Sequence, residues 1–365
     1  MNFEFSEEQE QLRVSVRRFL EDRAPITLVR ELWDDPRGTT DPVWDGLAAL
    51  GVTGLLVPEA QGGVGGGLVD AAVVCEELGR VVNPGPFVSS AVGAAGLVAD
   101  LAPADPLLAG LADGSNVATV ALLEPGRRAE WRNPATVADP SGDGWALTGV
   151  KAHVADLVAA DVALVVAAIG AELGVFAVEA TAATTEPTPT IDGTRREGTI
   201  TLAKTPARRV GTGDATDAVA HTVDRLHTAW VVDGVGAAQR AMEMSIDYAK
   251  EREQFGAPIG SFQAVQHLCA DMLRNVELAR AAAYYACWAL DAADRAEGHR
   301  AATMALAFAA DGLCAVGANT IQVHGGVGYT WEHDAHLYYK RLLTLQGLGG
   351  GSADQLEELA AIVLD

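Results

Sequence analysis

The spacing of the hydrophobic residues changes twice along this 365-residue chain, and the two changes constrain its fold class. Up to about residue 113 the apolar residues recur three or four positions apart, as on amphipathic helices. The next hundred residues contain short β-branched runs such as "DVALVVAAI" and "GVFAVEA", separated by Asp, Gly and Pro turns. Long helical patterns then return. The sequence therefore predicts an α+β protein with an N-terminal helical domain (1–115), a middle β-domain (116–213) and a C-terminal helical domain (214–365).

Local signals predict several individual elements. Ser6 followed by Gln9 is a capping-box signature, and a helix is expected from about Leu68 to Arg80. The stretch "DPSGDG" is typical of a hairpin loop. Gly256 and Pro258 interrupt the first long C-terminal helix, and Ser261 is predicted to cap the next one. The C-terminal helices are expected over 215–250, 262–292, 297–322, 334–345 and 353–363.

The net charge of −23 argues against nucleic acid and anionic membrane surfaces as partners, because both require a basic patch. No stretch approaches 18 clean apolar residues, so no membrane span is predicted. The start, "MNFEFSEEQEQL", is acidic and amphipathic, unlike a signal peptide. The four cysteines lack ligand-like spacing and are expected to be buried free thiols of a reducing compartment. The four are Cys75, Cys269, Cys287 and Cys314. The sequence therefore predicts a cytoplasmic protein.

Two segments of the last third carry candidate ligand-binding groups. In "YAKEREQFGAPIGSFQAVQH", Arg252 lies at a predicted helix C-terminus, where a guanidinium can bind a phosphate in a bidentate way. An arginine there can equally be a solvated charge that offsets the helix dipole. In "QVHGGVGYTWEHDAH", Gly325, Gly326 and Gly328 form a turn whose backbone a ligand can approach closely.

Together these two segments resemble the acyl-CoA dehydrogenase family. Further similarity lies in "FSEEQEQLRVSVRRFL", "LGVTGLLVPEAQGG" and "EELGR", and more weakly in "IDGTRREGTITL", so nearly the whole chain is covered. The resemblance implies the same α, β and four-helix-bundle architecture. It also implies FAD as cofactor and oxidation of an acyl-CoA thioester to the α,β-enoyl-CoA. In such enzymes a carboxylate removes the α-proton, and the β-hydrogen leaves as hydride to the flavin.

The resemblance also implies that FAD is shared between subunits. One subunit's β-domain holds the flavin ring, and its neighbour supplies segments that contact the pyrophosphate and adenosine. Carried over onto this sequence, the residues expected at that distal half of FAD are Arg252, Gln254, Phe255, Gln263, Gln322, Gly325 and Gly326.

The sequence departs from the family at the catalytic base, which must be a positioned carboxylate. The two positions where relatives carry it correspond to Gly349, within "TLQGLGGGSADQ", and to Leu226. Asp224 and Asp233 are close in sequence, but each residue turns a helix face by about 100°, so neither is an obvious replacement. The glycine loop is interpreted as a vacated active-site corner, although an ordinary helix–helix loop would have the same composition.

The flavin-ring cradle departs as well. A Thr-Glu-Pro segment followed by Gly-Ser-Asp is typical, whereas "LLEPGRRAEWRNP" keeps only Glu124-Pro125 of it. Where relatives have Trp-Ile-Thr, this chain has His153-Val154-Ala155. The segment "WEHDAHLYYKR" lacks the Arg and Asp that usually follow the glycine turn. Its His333, Asp334 and His336 invite a metal interpretation, but without a further ligand no metal site is predicted.

These losses all concern the subunit that holds its own flavin and substrate. We therefore predict the non-catalytic subunit of a heteromeric acyl-CoA dehydrogenase, similar to the α2β2 assemblies of actinobacteria that act on steroid side-chain CoA esters. The partner would be a homologous catalytic subunit carrying the glutamate, and the substrate an acyl-CoA. Two alternatives stay open. One is a self-sufficient homo-oligomeric dehydrogenase with Asp233 or Asp224 as an unusual base; the other is a structural or regulatory relative without flavin.

Overall fold

The computed structural model describes residues 5–127 and 129–364, and it has the predicted order of helices, strands and helices. The α+β fold class is confirmed. The first part of the chain contains six α-helices and, after the fourth, an eight-residue π-helix over Phe87–Ala94. The α-helices are α1 (Glu7–Arg23), α2 (Ile26–Glu31), α3 (Asp41–Ala49), α4 (Leu68–Arg80), α5 (Ala95–Leu101) and α6 (Leu107–Ala112).

Local sequence chemistry accounts for the ends of these helices. Ser6 and Gln9 form the predicted capping box, with each side chain bonded to the other residue's backbone N–H. Gly51, with φ of 75°, follows the end of α3, where a left-handed conformation favours glycine. Helix α4 has the predicted bounds.

The middle of the chain forms a seven-stranded sheet, and five of the strands close into a ring. The ring order is β4, β2, β3, β7, β5 and back to β4, while β1 and β6 pair with β4 and β7 from outside it. The predicted hairpin is present, with Ser141 paired to Gly144. The strands are β1 (Ala118–Ala121), β2 (Val137–Ser141), β3 (Gly144–Ala155), β4 (Val162–Ile169), β5 (Glu172–Glu179), β6 (Thr184–Thr188) and β7 (Glu197–Val210).

The C-terminal part is helical, as predicted, and its long helices differ from the predicted bounds by at most two residues. They are α7 (Thr216–Glu251), α8 (Gln263–Ala292), α9 (Arg295–His324), α10 (Ala335–Leu343) and α11 (Ser352–Leu364). Between α7 and α8 lies a two-stranded hairpin of β8 (Glu253–Gln254) and β9 (Ala257–Pro258). The prediction that Ser261 caps α8 is wrong. Its hydroxyl donates back to the Pro258 carbonyl, and Phe262 occupies the cap position.

The chain groups into two compact units. The first contains the start of the chain up to Val29, the segment Ala72–Asn83 and everything from His227 onward. The second contains Arg30–Ala71 and Pro84–Leu226. The three-domain division at residues 115 and 213 stays a prediction, since it rests on the change of hydrophobic spacing along the chain rather than on compactness.

The core of each unit follows from the composition of its elements. In the second unit, β-branched and leucine side chains of the strands fill the inside of the ring, with Leu147, Val165 and Phe176 fully buried. In the first unit, alanines such as Ala286, Ala289 and Ala305 let α8 and α9 approach closely. All four cysteines are free thiols; three are buried, whereas Cys269 is only half-buried because the start of α8 is largely exposed.

One helical segment of the described residues, Arg295–Tyr329, is long and apolar enough to cross a membrane by length and composition. Of its most apolar 18-residue window, 67% is buried inside the structure. That burial is what the central helix of a helical bundle requires.

Candidate functional site

The two segments singled out in the sequence meet at one end of the bundle. Helices α7, α8 and α9 follow one another through short connections, so the ends of α7 and α9 lie beside the start of α8. The rings of Tyr248, in the last turn of α7, and His324, at the end of α9, stack with centroids 4.7 Å apart. The Arg252 N–H donates to the Tyr248 carbonyl over 2.8 Å, which ties the arginine to this contact.

Beyond Arg252 the chain makes a tight hairpin with an unusual residue at its tip. Phe255 and Gly256 both have positive φ, 54° and 79°. A type I′ turn, one of the two-residue hairpin turns that match the twist of their strands, requires this at both central positions. For a bulky side chain the conformation costs on the order of 1–3 kcal/mol. Phe255 is also 96% exposed. Its ring meets that of Phe262 edge to face, with centroids 6.2 Å apart, and this exposed contact offsets little of that cost.

The glycine turn offers an open backbone on its first two residues. Gly325 ends α9 with φ of 62°, and a methyl group added to Gly325 or Gly326 would meet nothing within 4 Å. Gly328 differs, since an added methyl group would lie 3.0 Å from Cβ of His324. Gln322, in the last turn of α9, is exposed beside the glycine turn. The space next to the first two glycines therefore allows a ligand to contact the main chain.

The start of α8 completes this end of the bundle. Gln263 is the first residue of the helix, and its cap residue Phe262 provides no side-chain hydrogen bond to the helix N-terminus. Backbone N–H groups at such a position favour anions. Gln254, whose side-chain amide donates to the Glu253 carbonyl, is exposed on the neighbouring hairpin. All seven residues predicted for the distal half of FAD are thus exposed on segments that gather at one end of the bundle.

Sequence reasoning missed the side chains that support the glycine turn. The ring of His333 lies 4.3 Å from that of His324, which also contacts Tyr248. The His333 Nδ1 atom accepts a hydrogen bond of 3.1 Å from the Ala335 N–H at the start of α10. Burial lowers the pKa of His324, and the nearby His333 lowers it further, whereas the hydrogen bond to the Thr320 carbonyl raises it. The motif "TWEHDAH" was the available signal, although its spacing pointed to a metal.

The first base position is occupied by a glycine in a crowded corner. Gly349, Gly350 and Gly351 all have positive φ, from 56° to 92°. A methyl group added to Gly349 would lie 2.7 Å from Nε2 of Gln355 and 2.9 Å from Cε1 of His227. The local backbone and the surrounding side chains therefore disfavour any larger residue at this position.

The second base position, Leu226, is equally unsuited to proton abstraction. Its side chain is 4% exposed and packs against Gly93 of the π-helix, where an added methyl group would come within 2.8 Å of it. Asp224, the nearby alternative, is buried.

Asp233 is engaged in a buried ion pair. Both of its carboxylate oxygens accept hydrogen bonds from Nη1 of Arg341, at 3.0 and 2.9 Å. Nη2 of the same arginine donates to the carbonyls of Val82 and Asn83. A carboxylate held in this way is poorly placed to accept a substrate proton, because the buried Arg341 charge would then lose its partner.

In the second unit, the residues at the cradle positions form an internal polar network. Glu124 accepts hydrogen bonds from the backbone N–H groups of Ala135 and Thr136, both at 2.8 Å, and from the Lys151 ammonium at 3.1 Å. Burial raises the pKa of Glu124, but these bonds and the charge of Lys151 outweigh it and lower the pKa to about 2. Burial lowers the pKa of Lys151 to about 8.

The rest of the cradle region is similarly self-contained. Trp131, in the loop that follows Glu124-Pro125, is buried in the hydrophobic core of the second unit. His153 has φ of 53° at a register shift between β3 and β7, and its exposed ring contacts the Glu197 carboxylate at 2.7 Å. Ala155 brings no hydroxyl to this strand.

Within residues 5–127 and 129–364, no group of three or more His, Cys, Asp or Glu side chains is placed to hold a metal ion. The imidazoles of His333 and His336 are instead engaged by rings, His324 for the former and Trp331 for the latter.

Comparison with known protein families gives matches at both ends of the chain. Residues 6–102 match the acyl-CoA dehydrogenase N-terminal domain, and residues 216–364 match the acyl-CoA dehydrogenase C-terminal domain. The chain belongs to the acyl-CoA dehydrogenase family. This acyl-CoA dehydrogenase homologue is 34% identical over 352 residues to the acyl-CoA dehydrogenase IpdE2 of Mycobacterium tuberculosis, covering 96% of this chain and 93% of IpdE2.

Other relatives have similar names. The acyl-CoA dehydrogenase FadE34 of Mycobacterium tuberculosis is 35% identical over 322 residues, which are 88% of this chain and 42% of FadE34. Among solved structures, a variant of the Tcur3481-Tcur3483 steroid ACAD is 35% identical with a TM-score of 0.89, covering 98% of both chains. The ChsE4-ChsE5 complex from Mycobacterium tuberculosis is 27% identical with a TM-score of 0.89, covering 100% of this chain and 99% of that one.

Proposed function

We propose that this acyl-CoA dehydrogenase homologue is the non-catalytic subunit of a heteromeric α2β2 enzyme. It contributes the distal half of an FAD site, and a homologous partner subunit supplies the flavin-ring cradle and the catalytic glutamate. The observation that carries the proposal is an asymmetry. The nucleotide-tail residues are all present and exposed at one end of the bundle, while the two base positions hold Gly349 and Leu226.

The residues at this end fit a dinucleotide pyrophosphate by their chemistry. The Arg252 guanidinium can donate two parallel hydrogen bonds to phosphate oxygens. The open backbone at Gly325 and Gly326 permits a close approach that a side chain would obstruct. The amides of Gln254, Gln263 and Gln322 can donate to or accept from ribose and adenine. Bound FAD supplies the hydride acceptor of the family's reaction; this chain's part is to hold the nucleotide tail and orient it.

The second unit supports the division of labour. Glu124 is satisfied by neighbours in its own domain, and Trp131 is buried in its own core, so neither is directed toward a ligand. Ala155 offers no hydroxyl to a flavin ring. These residues are consistent with a domain that does not bind the flavin ring, which another chain would bind instead.

The names of the relatives suggest the substrate class and the assembly. One similar structure is named the Tcur3481-Tcur3483 steroid ACAD, and another is named the ChsE4-ChsE5 complex. We extend this to the present chain and propose a steroid side-chain CoA ester as the substrate. The α-proton and the β-hydride would leave from the two carbons next to the thioester.

Co-expression tests the proposal. The chain is produced alone and together with each glutamate-bearing acyl-CoA dehydrogenase homologue of the same organism. We expect the lone chain to purify without stoichiometric FAD and without acyl-CoA oxidation, and one pairing to yield a yellow, active complex. A lone chain that binds one FAD per subunit and oxidises acyl-CoA would contradict the assignment.

The homo-oligomeric alternative with an unusual base has one specific requirement. Asp233 would have to release Arg341, which donates to both of its oxygens in a buried setting. Loss of turnover in a homomeric, yellow Asp233→Asn protein of unchanged stability would favour that alternative. The flavin-free alternative requires that Arg252→Ala leave the flavin content of the complex unchanged.

A further inference from the structure

The exposed aromatic side chains of this protein are concentrated at one place. Among the residues that the structure describes, the aromatic side chains classed as exposed are Phe255, Phe262, Tyr329 and Trp331. They are 96%, 37%, 78% and 58% exposed, in that order. Phe255 lies on the hairpin, Phe262 precedes α8, Tyr329 ends the glycine turn and Trp331 follows it. These segments gather at the end of the bundle, and we call the four residues the aromatic patch.

Solvent exposure of several large aromatic rings on neighbouring segments is unfavourable for an isolated subunit. Each ring leaves on the order of 100 Å² of apolar surface in water, and contiguous exposed apolar patches mark interaction sites. Aromatic residues are also enriched in the cores of protein–protein interfaces, where a few of them carry most of the binding energy. The clustering of the four rings is therefore stronger evidence for an interaction site than the exposure of any single ring.

Within the aromatic patch, Trp331 is contacted by two side chains of α10. The Lys340 ammonium lies 4.5 Å from the centroid of its indole ring, and the buried His336 ring meets it edge to face at 4.5 Å. These contacts from α10 fix the indole while more than half of its surface remains exposed. A side chain fixed in this way loses little conformational freedom on binding, which is the property of an anchor residue.

We propose that Trp331, with Tyr329 beside it, is the anchor through which this subunit docks on its heteromeric partner. The inference rests on the proposed function, because the aromatic patch flanks Gly325, Gly326 and Arg252, the groups assigned to the flavin tail. A cofactor held by two chains must be covered by the chain that holds its ring. The occupant of the aromatic patch is therefore the homologous glutamate-bearing subunit.

The test uses the co-expressed complex and three variants of this chain. Trp331→Ala and Tyr329→Ala each remove one ring. Ile191→Ala is the matched control, because Ile191 is 59% exposed but lies in the second compact unit. The dissociation constant between this chain and the glutamate-bearing subunit is measured by titration at fixed FAD. The thermal unfolding midpoint of each lone variant verifies that it is folded.

We expect Trp331→Ala to weaken the complex by at least about 30-fold, as for an interface hot spot, and Tyr329→Ala to weaken it less. The lone variants should unfold at the same temperature as the unmodified chain. A complex that tolerates both aromatic substitutions as well as Ile191→Ala would overturn the inference. A homodimer of this chain that dissociates with Trp331→Ala, in place of a heteromer, would overturn the assigned occupant.

Arg252→Ala separates this inference from the proposed function. It should lower the FAD content of the complex while the two chains remain associated. If the complex forms but is indifferent to Trp331, the anchor alone is wrong. If no glutamate-bearing homologue associates and the lone chain binds FAD stoichiometrically, the proposed function is wrong.

Discussion

The side-chain amide of Gln355 donates a hydrogen bond of 2.7 Å to the carbonyl oxygen of Gly349. Gln355 is 5% exposed, and its Nε2 atom lies where a side chain on Gly349 would begin. The corner that carries the base in relatives is thus occupied by a neighbour's amide. This arrangement has a direct consequence for attempts to restore the base.

Gly349→Glu is expected to produce no dehydrogenase activity in the lone chain and to destabilise it. The substitution places an L-residue at φ of 56° and pushes against Gln355, at a cost of about 1–3 kcal/mol. Gly347→Ala is the control, since an added methyl group there meets nothing within 4 Å. Chemical unfolding and acyl-CoA oxidation are measured for both. A stable, active Gly349→Glu chain would show that the corner is still a working active site.

Arg252→Ala is expected to weaken FAD binding by the heteromeric complex about 10- to 100-fold, because charge-assisted hydrogen bonds contribute roughly 1.5–3 kcal/mol each. Arg274→Ala serves as control, because Arg274 is an exposed arginine of α8 paired with Asp271. Titration of the deflavinated complex with FAD gives the dissociation constants. Equal losses for the two variants would indicate a general effect of charge.

Asp233→Asn is expected to lower the free energy of unfolding by about 3–5 kcal/mol, because it leaves the buried Arg341 charge without its partner. Arg341→Met alone should also destabilise the chain. The double variant should recover part of the sum, since both charges are then absent. Urea unfolding of the four proteins gives the coupling energy, and additive effects would mean that the pair contributes no interaction.

Glu124 makes the stability of the chain depend on pH on the acid side. Its pKa is lowered from 4.5 to about 2 in the folded state. The stabilisation is therefore complete above pH 4.5 and is lost as the pH falls toward 2, with a total of about 3 kcal/mol. The difference in unfolding free energy between the unmodified chain and Glu124→Gln should shrink over this window. If this difference does not depend on pH, Glu124 has its ordinary pKa in the folded state and the prediction is wrong.

The sequence alone was sufficient for the fold class and for most elements. The spacing of hydrophobic residues and the residues that cap helices or form turns are local properties. The bounds of α4, the capping box at Ser6 and the hairpin at Ser141 therefore followed from neighbouring residues. The strand β6 and the π-helix were missed. The "TTEPT" of β6 carries only a weak strand pattern, and a π-helix has the composition of an α-helix.

The two candidate ligand-binding segments could be chosen from motifs, but their proximity in the fold could not. Arg252 and Gly325 are more than seventy positions apart, and only the packing of α7 against the end of α9 brings Tyr248 onto His324. The same holds for Asp233, whose role as a candidate base or a structural ion pair depends on Arg341, over a hundred positions away.

The assignment of Arg252, Gly325 and their neighbours to a nucleotide tail stays a prediction. The sequence by itself determined the order of helices and strands and the absence of a carboxylate at positions 226 and 349. These are properties of residue type and of spacing along a local element. Only the tertiary structure decided that Gln355 packs against Gly349, that Arg341 pairs with Asp233 and that the exposed aromatic rings lie at one end of the bundle. Such contacts join residues distant along the chain, and packing brings them together with no local signal in the sequence.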